Sequence, residues 1–122
     1  MKNEHHLPLA NAPYLTKISV LYPCKGGRRF DMDYYIETHL RLSLELLTVH
    51  GGFRGMSVER GLAGVKPGTK AKYIALCHMA FDSVEDCMAA VVSYVTLLQH
   101  DLPNYTDIEP VFQISKVLLQ TR

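Results

Sequence analysis

Hydrophobic positions along the chain fall into four short runs of strand type and two longer runs of helix type. The strand-type runs alternate or are apolar throughout, and they are rich in β-branched and aromatic residues. They cover residues 17–22, 53–60, 73–81 and 111–118. The helix-type runs cover residues 31–50 and residues 83 to about 100, where apolar residues recur at helical spacing. The predicted order is therefore β-α-β-β-α-β.

The first helix has clear signals at both ends. Asp31 is a suitable N-cap, and two glycines at positions 51 and 52 end the helix. At 100° per residue one stripe faces inward. That stripe contains Met32, Ile36, His39, Leu40, Ser43, Leu46, Leu47 and His50. Tyr34 is expected to point to the solvent side together with Arg41.

The second helix is predicted to begin at a capping box. Asp82 or Ser83 is the expected N-cap, with Glu85 or Asp86 as its partner three residues later. The expected inner stripe contains Val84, Cys87, Met88, Val91, Tyr94, Val95 and Leu98.

This order of elements predicts an α+β fold of the ferredoxin-like βαββαβ type, with one antiparallel sheet and two helices on one face. Residues 16–122 form a single predicted domain, because 122 residues suffice for one core. Residues 1–15 form a predicted N-terminal arm, since Pro8 and Pro13 disfavour helix and no periodicity is present.

The predicted strand at residues 73–81 is apolar on both of its faces. Two helices cover one face of the sheet, so the other face also needs a cover. A chain of this length has no further element to supply it. We therefore expect a homodimer, in which a second copy covers the open face.

Composition excludes several classes of function. Lys plus Arg is 13 and Asp plus Glu is 12, which gives a net charge of +1 and argues against nucleic-acid binding. The apolar stretch at residues 87–98 is too short to span a bilayer, and no signal peptide is present, so no membrane association is expected. The three cysteines, at positions 24, 77 and 87, lack CxxC spacing and indicate reduced thiols in the cytoplasm.

Motifs for metal and nucleotide binding are also missing from the sequence. No HExxH, HxH or CxxC pattern occurs, and the glycines at 51, 52 and 55 lack the spacing of a phosphate-binding loop. We therefore expect neither a metal nor a cofactor.

Five residues are candidates for a functional site. His39 is a titratable ring on an otherwise apolar stripe and could act as a general base or acid. Tyr35 lies one turn earlier, so the two rings can meet, and Ser43 shares the stripe. Tyr22 ends the first strand, and His78 lies in mid-strand, facing away from the helices if Phe81 faces them. The alternative for each is a structural role as a hydrogen-bonded core residue.

Three segments together resemble the EthD family, which is named after a protein linked to ethyl tert-butyl ether degradation. They are FDMDYYIETHLRLSLELL, FDSVEDCMAA and PNYTDIEPVFQISKVL. The resemblance implies a dimeric α+β barrel, in which two ferredoxin-like sheets pack face to face. It also implies structural kinship with polyketide cyclases, cofactor-free quinone-forming monooxygenases, muconolactone isomerases and haem-handling proteins. His39 matches the helix-one histidine of the family.

The resemblance and the candidate residues together suggest a protein of small-molecule catabolism. We expect it to bind a small hydrophobic, aromatic or carbonyl compound in a cavity between helix one and the sheet. The expected chemistry is cofactor-free acid-base catalysis of the cyclase, isomerase or monooxygenase type. One alternative is a non-catalytic accessory protein that carries such a ligand. Another is a haem-handling dimer with a histidine ligand, which would show a Soret band on haem addition.

Overall fold

The computed structural model describes residues 15–121 and contains one four-stranded antiparallel sheet with two helices on one face. The strands are β1 (Thr16–Pro23), β2 (Phe53–Arg60), β3 (Tyr73–Phe81) and β4 (Val111–Lys116). Their order in the sheet is β2-β3-β1-β4, and every neighbouring pair is antiparallel. The predicted ferredoxin-like α+β fold is confirmed.

Helix α1 spans residues 32–47 and changes its geometry partway along. Its parts are α-helical Met32–Tyr34, π-helical Tyr35–His39 and α-helical Leu40–Leu47. The carboxylate of Asp31 accepts a hydrogen bond from the Tyr34 N–H at 3.1 Å, which confirms the predicted N-cap. Wider π-helical turns inside α-helices occur frequently at functional sites.

Helix α2 (Val84–Asp101) is followed by a 3-10 turn, Leu102–Asn104. The Ser83 hydroxyl accepts a hydrogen bond from the Asp86 N–H at 3.1 Å, which confirms Ser83 and Asp86 as the capping pair. This turn carries the chain back over the N-terminal end of α1, so that residues 101–108 pack beside the π-helical segment.

The core lies between the sheet and the two helices. From β1 and β3 it contains Ile18, Val20, Tyr22, Ala75, Cys77, Met79 and Phe81. From the helices it contains Tyr35, Leu40, Leu47, Cys87, Ala90, Tyr94 and Leu98. Phe81 faces the helices, so the alternate residues of β3, His78 among them, face the opposite side.

Both predicted helix stripes were wrong at individual positions. Ile36 is 51% exposed, because the wider π-helical turn advances fewer degrees per residue and turns Tyr35 instead of Ile36 to the core beside His39. Val84 and Met88 are 52% and 45% exposed. The buried face of α2 is narrower than expected, and Met88 lies about 100° around the helix from the fully buried Cys87.

The start of β1 and the end of β4 lie side by side at one end of the sheet. The predicted arm of residues 1–15 lies outside the described residues except for Leu15, whose carbonyl accepts a hydrogen bond from the Val117 N–H at 2.9 Å. Strand β4 ends at Lys116, two residues earlier than predicted. Within residues 15–121, neither helix is long and apolar enough to cross a lipid bilayer.

Candidate functional site

A cluster of buried rings lies between the sheet, the π-helical part of α1 and the segment after α2. His39 is fully buried at its centre, and its ring centroid lies 4.7 Å from that of Tyr105 and 5.7 Å from that of Tyr35. Tyr22 on β1 contacts the Tyr35 ring at 5.5 Å. Phe30, which is half-buried, lies 5.2 Å from the rings of Tyr22 and Tyr35.

Asp101, at the C-terminal end of α2, holds the His39 ring in place. His39 Nδ1 lies 2.9 Å from the Oδ2 atom of Asp101. The other carboxylate oxygen accepts hydrogen bonds from the Tyr34 hydroxyl at 2.6 Å and from Asn104 Nδ2 at 3.0 Å. Burial alone would raise the pKa of Asp101, but the hydrogen bonds from Tyr34, Asn104 and His39 lower it below its ordinary value. Asp101 is therefore an ionised carboxylate.

The ionised carboxylate determines which nitrogen of His39 carries the proton. A carboxylate can only accept hydrogen bonds, so Nδ1 is protonated and points to Asp101. Burial lowers the pKa of His39 below 6.5, although the neighbouring Asp101 opposes this shift. At neutral pH the ring is therefore uncharged, and Nε2 carries a free lone pair.

Two buried polar atoms of this cluster have no hydrogen-bond partner among the described residues: Nε2 of His39 and the hydroxyl of Tyr35. The two rings stack with an interplanar angle of 14°. The Cys77 thiol lies close to the Tyr35 hydroxyl without adopting hydrogen-bonding geometry. Unpartnered buried polar groups are rare in native proteins, and each one calls for an explanation.

The remaining hydroxyl groups of the cluster have partners. The hydroxyls of Tyr22 and Tyr105 lie 2.7 Å apart, and Ser43 donates to the His39 carbonyl at 2.9 Å. Burial raises the pKa of Tyr22, Tyr35 and Tyr105 above their ordinary value. All three phenols are therefore neutral and can donate a hydrogen bond.

The five predicted site residues fall into two places. Tyr22, Tyr35, His39 and Ser43 lie together in the buried cluster. His78 lies on the opposite face of the sheet, where its Nδ1 atom is 2.7 Å from the Ser19 hydroxyl.

Sequence reasoning missed Asp101 and Tyr105 and placed Tyr34 wrongly. Tyr34 is half-buried, because the segment after α2 covers the first turn of α1 and the Tyr105 ring stacks on it at 6.1 Å. One signal for Asp101 was present: it is the first charged residue after Asp86 along α2. Among residues 15–121, no group of three His, Cys, Asp or Glu side chains is arranged to hold a metal ion.

Comparison with known proteins adds a family and a fold. The EthD domain model matches residues 27–109. An EthD-like protein from Ralstonia eutropha is 35% identical, with a TM-score of 0.79, and the match covers 88% of this chain and 96% of that chain. No protein of curated function matches the sequence.

More distant structures share the fold alone. A dimeric ferredoxin-like protein of unknown function from Thermobifida fusca is 10% identical over 87% of this chain and 93% of that chain, with a TM-score of 0.53. SnoaB, a cofactor-independent oxygenase from Streptomyces nogalater, is 10% identical over 90% of this chain and 97% of that chain, with a TM-score of 0.50.

Proposed function

Because the chain belongs to the EthD family, we propose that it binds a small hydrophobic carbonyl compound beside His39 and moves one of its protons without a cofactor. The observation that carries this proposal is the pair of unpartnered buried atoms, His39 Nε2 and the Tyr35 hydroxyl. A base and a hydrogen-bond donor on one helical turn, both without partners, are what an enolisable carbonyl compound requires.

The chemistry follows from the protonation states of the two groups. The Tyr35 hydroxyl donates to the carbonyl oxygen of the ligand, and His39 Nε2 removes a proton from the adjacent carbon. The resulting imidazolium is stabilised by the Asp101 carboxylate, which lies 2.9 Å from Nδ1. The negative charge that develops on the ligand oxygen is stabilised by the Tyr35 hydroxyl in a site that excludes water.

The walls of the site favour a planar, apolar ligand. The rings of Tyr22, Phe30 and Tyr105 surround the phenol ring of Tyr35 at centroid distances of 5.2 to 5.5 Å. Aromatic side chains bind flat rings by stacking and edge contacts. The EthD family, together with the fold that the chain shares with the cofactor-independent oxygenase, supports a role in small-molecule catabolism, which we place in the cytoplasm.

In this proposal the ligand enters beside Phe30, because Phe30 is the most exposed of the rings that contact Tyr22 and Tyr35. Its segment is held closed by three hydrogen bonds. The Arg29 guanidinium donates to the Pro103 carbonyl at 2.8 Å, and the Arg29 N–H donates to Asp107 at 2.9 Å. The Thr106 hydroxyl donates to the Arg29 carbonyl at 2.6 Å.

We also propose that the protein is a homodimer that forms through the open face of the sheet, which closes a dimeric α+β barrel. Leu21, Leu76 and Val111 lie in one register row on this face. The dimeric ferredoxin-like protein that shares the fold supports this assembly.

The proposal for the buried site is tested by proton exchange on an enolisable aryl ketone. The probe is 2-tetralone in D₂O, and NMR follows the loss of its α-proton signal. We expect the protein to accelerate exchange and His39→Phe to reduce that acceleration by about 100-fold, the usual contribution of a general base. His78→Phe is the matched control, because it removes a histidine on the other face of the sheet.

Two results would contradict the catalytic proposal. If His39→Phe exchanges the probe as fast as the unaltered protein, His39 is not the base. If 2-tetralone binds at the Tyr35 ring but no exchange is accelerated, the site is that of a non-catalytic binding protein.

A further inference from the structure

The open face of the sheet carries a row of polar side chains that crosses all four strands. Ser57 of β2 pairs with His78 of β3, His78 pairs with Ser19 of β1, and Ser19 pairs with Gln113 of β4. Paired residues of neighbouring strands point to the same face, so these four side chains form one continuous line. Ser19 is buried although it lies on the face away from the helices.

Next to this row the same face is apolar. One register level along, Leu76 of β3 pairs with Leu21 of β1, and Leu21 pairs with Val111 of β4. At the other end of the face, Lys17 pairs with Ser115 of β4. The face is thus divided into a polar end with a cation and an apolar end.

A shallow pocket of about 440 Å³ joins the two ends. Its polar wall includes Lys17, Ser19, His78 and Gln113, and its apolar wall includes Leu21 and Leu76. Val117, Leu118 and Leu119, which follow β4, also line the pocket. A volume of this size lies within the usual range for pockets that bind small molecules.

The charge of the pocket selects the sign of its ligand. None of the described residues that line it is acidic, whereas Lys17 contributes an ammonium group to its wall. The Glu59 carboxylate lies 3.8 Å from His78 Nε2 and is not part of the pocket lining. Hydroxyl and amide donors beside an ammonium group are well suited to bind a carboxylate.

We propose that this pocket is a second binding site, which takes an amphiphilic monocarboxylate. The carboxylate lies beside Lys17 and accepts a hydrogen bond from the Gln113 amide. It accepts a second from the Ser19 hydroxyl, whose oxygen then accepts a hydrogen bond from His78 Nδ1 at 2.7 Å. The hydrocarbon part lies along Leu21 and Leu76. The site is separate from the buried His39 cluster, because the sheet stands between them. In the proposed dimer the ligand would lie between the two sheets, so that the second copy contacts its hydrocarbon part where it would otherwise contact Leu21 and Leu76.

The test is a titration of the protein with octanoate, in which amide NMR signals report binding. A second titration uses octan-1-ol, an uncharged probe of equal chain length. We expect octanoate to shift the signals of Ser19, His78 and Gln113 in a saturable way. Octan-1-ol should bind at least tenfold more weakly. Lys17→Met should weaken octanoate binding at least fivefold, whereas Lys25→Met, which alters an exposed lysine in a turn, should change it less than twofold.

Three results would overturn this inference. They are equal binding of octanoate and octan-1-ol, equal effects of Lys17→Met and Lys25→Met, and octanoate shifts confined to the His39 cluster. Sedimentation of the same samples reports the oligomeric state separately. If any of these three results is obtained with a protein that still dimerises and still exchanges 2-tetralone, this inference is contradicted and the proposed function stands.

Discussion

The rings of Tyr35 and His39 stack on one π-helical turn, and each presents a buried polar atom that no described residue satisfies. The π-helical segment brings both rings to the sheet-facing side of α1. A structure selected for stability alone would gain from pairing or removing such atoms, because an unsatisfied buried group costs about 1–3 kcal/mol. Their joint presence is therefore the main structural argument for a bound ligand.

Replacing Tyr35 by Phe removes an unpartnered hydroxyl. We expect the free energy of unfolding to stay the same or to rise by about 1–3 kcal/mol, while proton exchange on 2-tetralone falls. Tyr22→Phe is the matched control, because its hydroxyl is paired with that of Tyr105 at 2.7 Å and its loss strands that partner. Denaturant unfolding should show Tyr22→Phe to be the less stable variant, and the reverse order would contradict the argument.

Replacing Asp101 by Asn keeps the shape of the side chain and removes its charge. The hydrogen bond and the charge of Asp101 both raise the pKa of His39 against the larger lowering effect of burial. We therefore expect the pKa of His39 to fall further in Asp101→Asn, as measured by NMR titration of the ring. Asp107→Asn, an exposed substitution, serves as the control. An unchanged or higher pKa in Asp101→Asn would show that the contact does not stabilise the imidazolium.

Stability should fall as the pH falls below about 7. Burial holds the pKa of His39 and of His78 below the ordinary value of 6.5, so the unfolded chain binds protons that the folded chain does not. For each such histidine, the free energy of unfolding falls by at most about 1.4 kcal/mol per pH unit as the pH is lowered. This fall begins near pH 6.5 and ends at the pKa of that histidine in the folded protein.

The measurement for this pH dependence is urea unfolding between pH 7.5 and 5. We expect His39→Phe to reduce the slope. If the variant and the unaltered protein lose stability equally over this range, His39 is not a buried neutral base.

The open face of the sheet gives a prediction about assembly. Leu76→Glu places a carboxylate on the apolar half of that face and should convert a dimer of about twice the chain mass into a monomer of 13.8 kDa. Leu62→Glu is the matched control, because Leu62 is 89% exposed in a loop. Light scattering at micromolar concentration measures both. A monomer in the unaltered protein, or a dimer in Leu76→Glu, would contradict the proposed interface.

The fold could be predicted from the sequence because its signals are local. Asp31 and Ser83 mark the starts of the two helices, and alternation within residues 73–81 places Phe81 and His78 on opposite faces. These features depend on residues that are close together in the chain.

The candidate site could be predicted only in part. His39, Tyr35 and Ser43 share a helix, so helical spacing is enough to bring them together. Asp101 lies 62 residues from His39 in sequence, and periodicity within one element cannot indicate a partner at that separation. The π-helical turn could not be predicted either, because the inner stripe of the first helix was predicted with a uniform spacing of 100° per residue and this turn departs from it.

The central claim is that His39 is a neutral base whose Nε2 lone pair faces the buried site, and ¹⁵N NMR of the histidine rings tests it most directly. At pH 7.5 the ligand-free protein should show His39 with a proton on Nδ1 and a bare Nε2, which is the tautomer that Asp101 imposes. A spectrum with His39 protonated on Nε2, or on both nitrogens, would contradict the account.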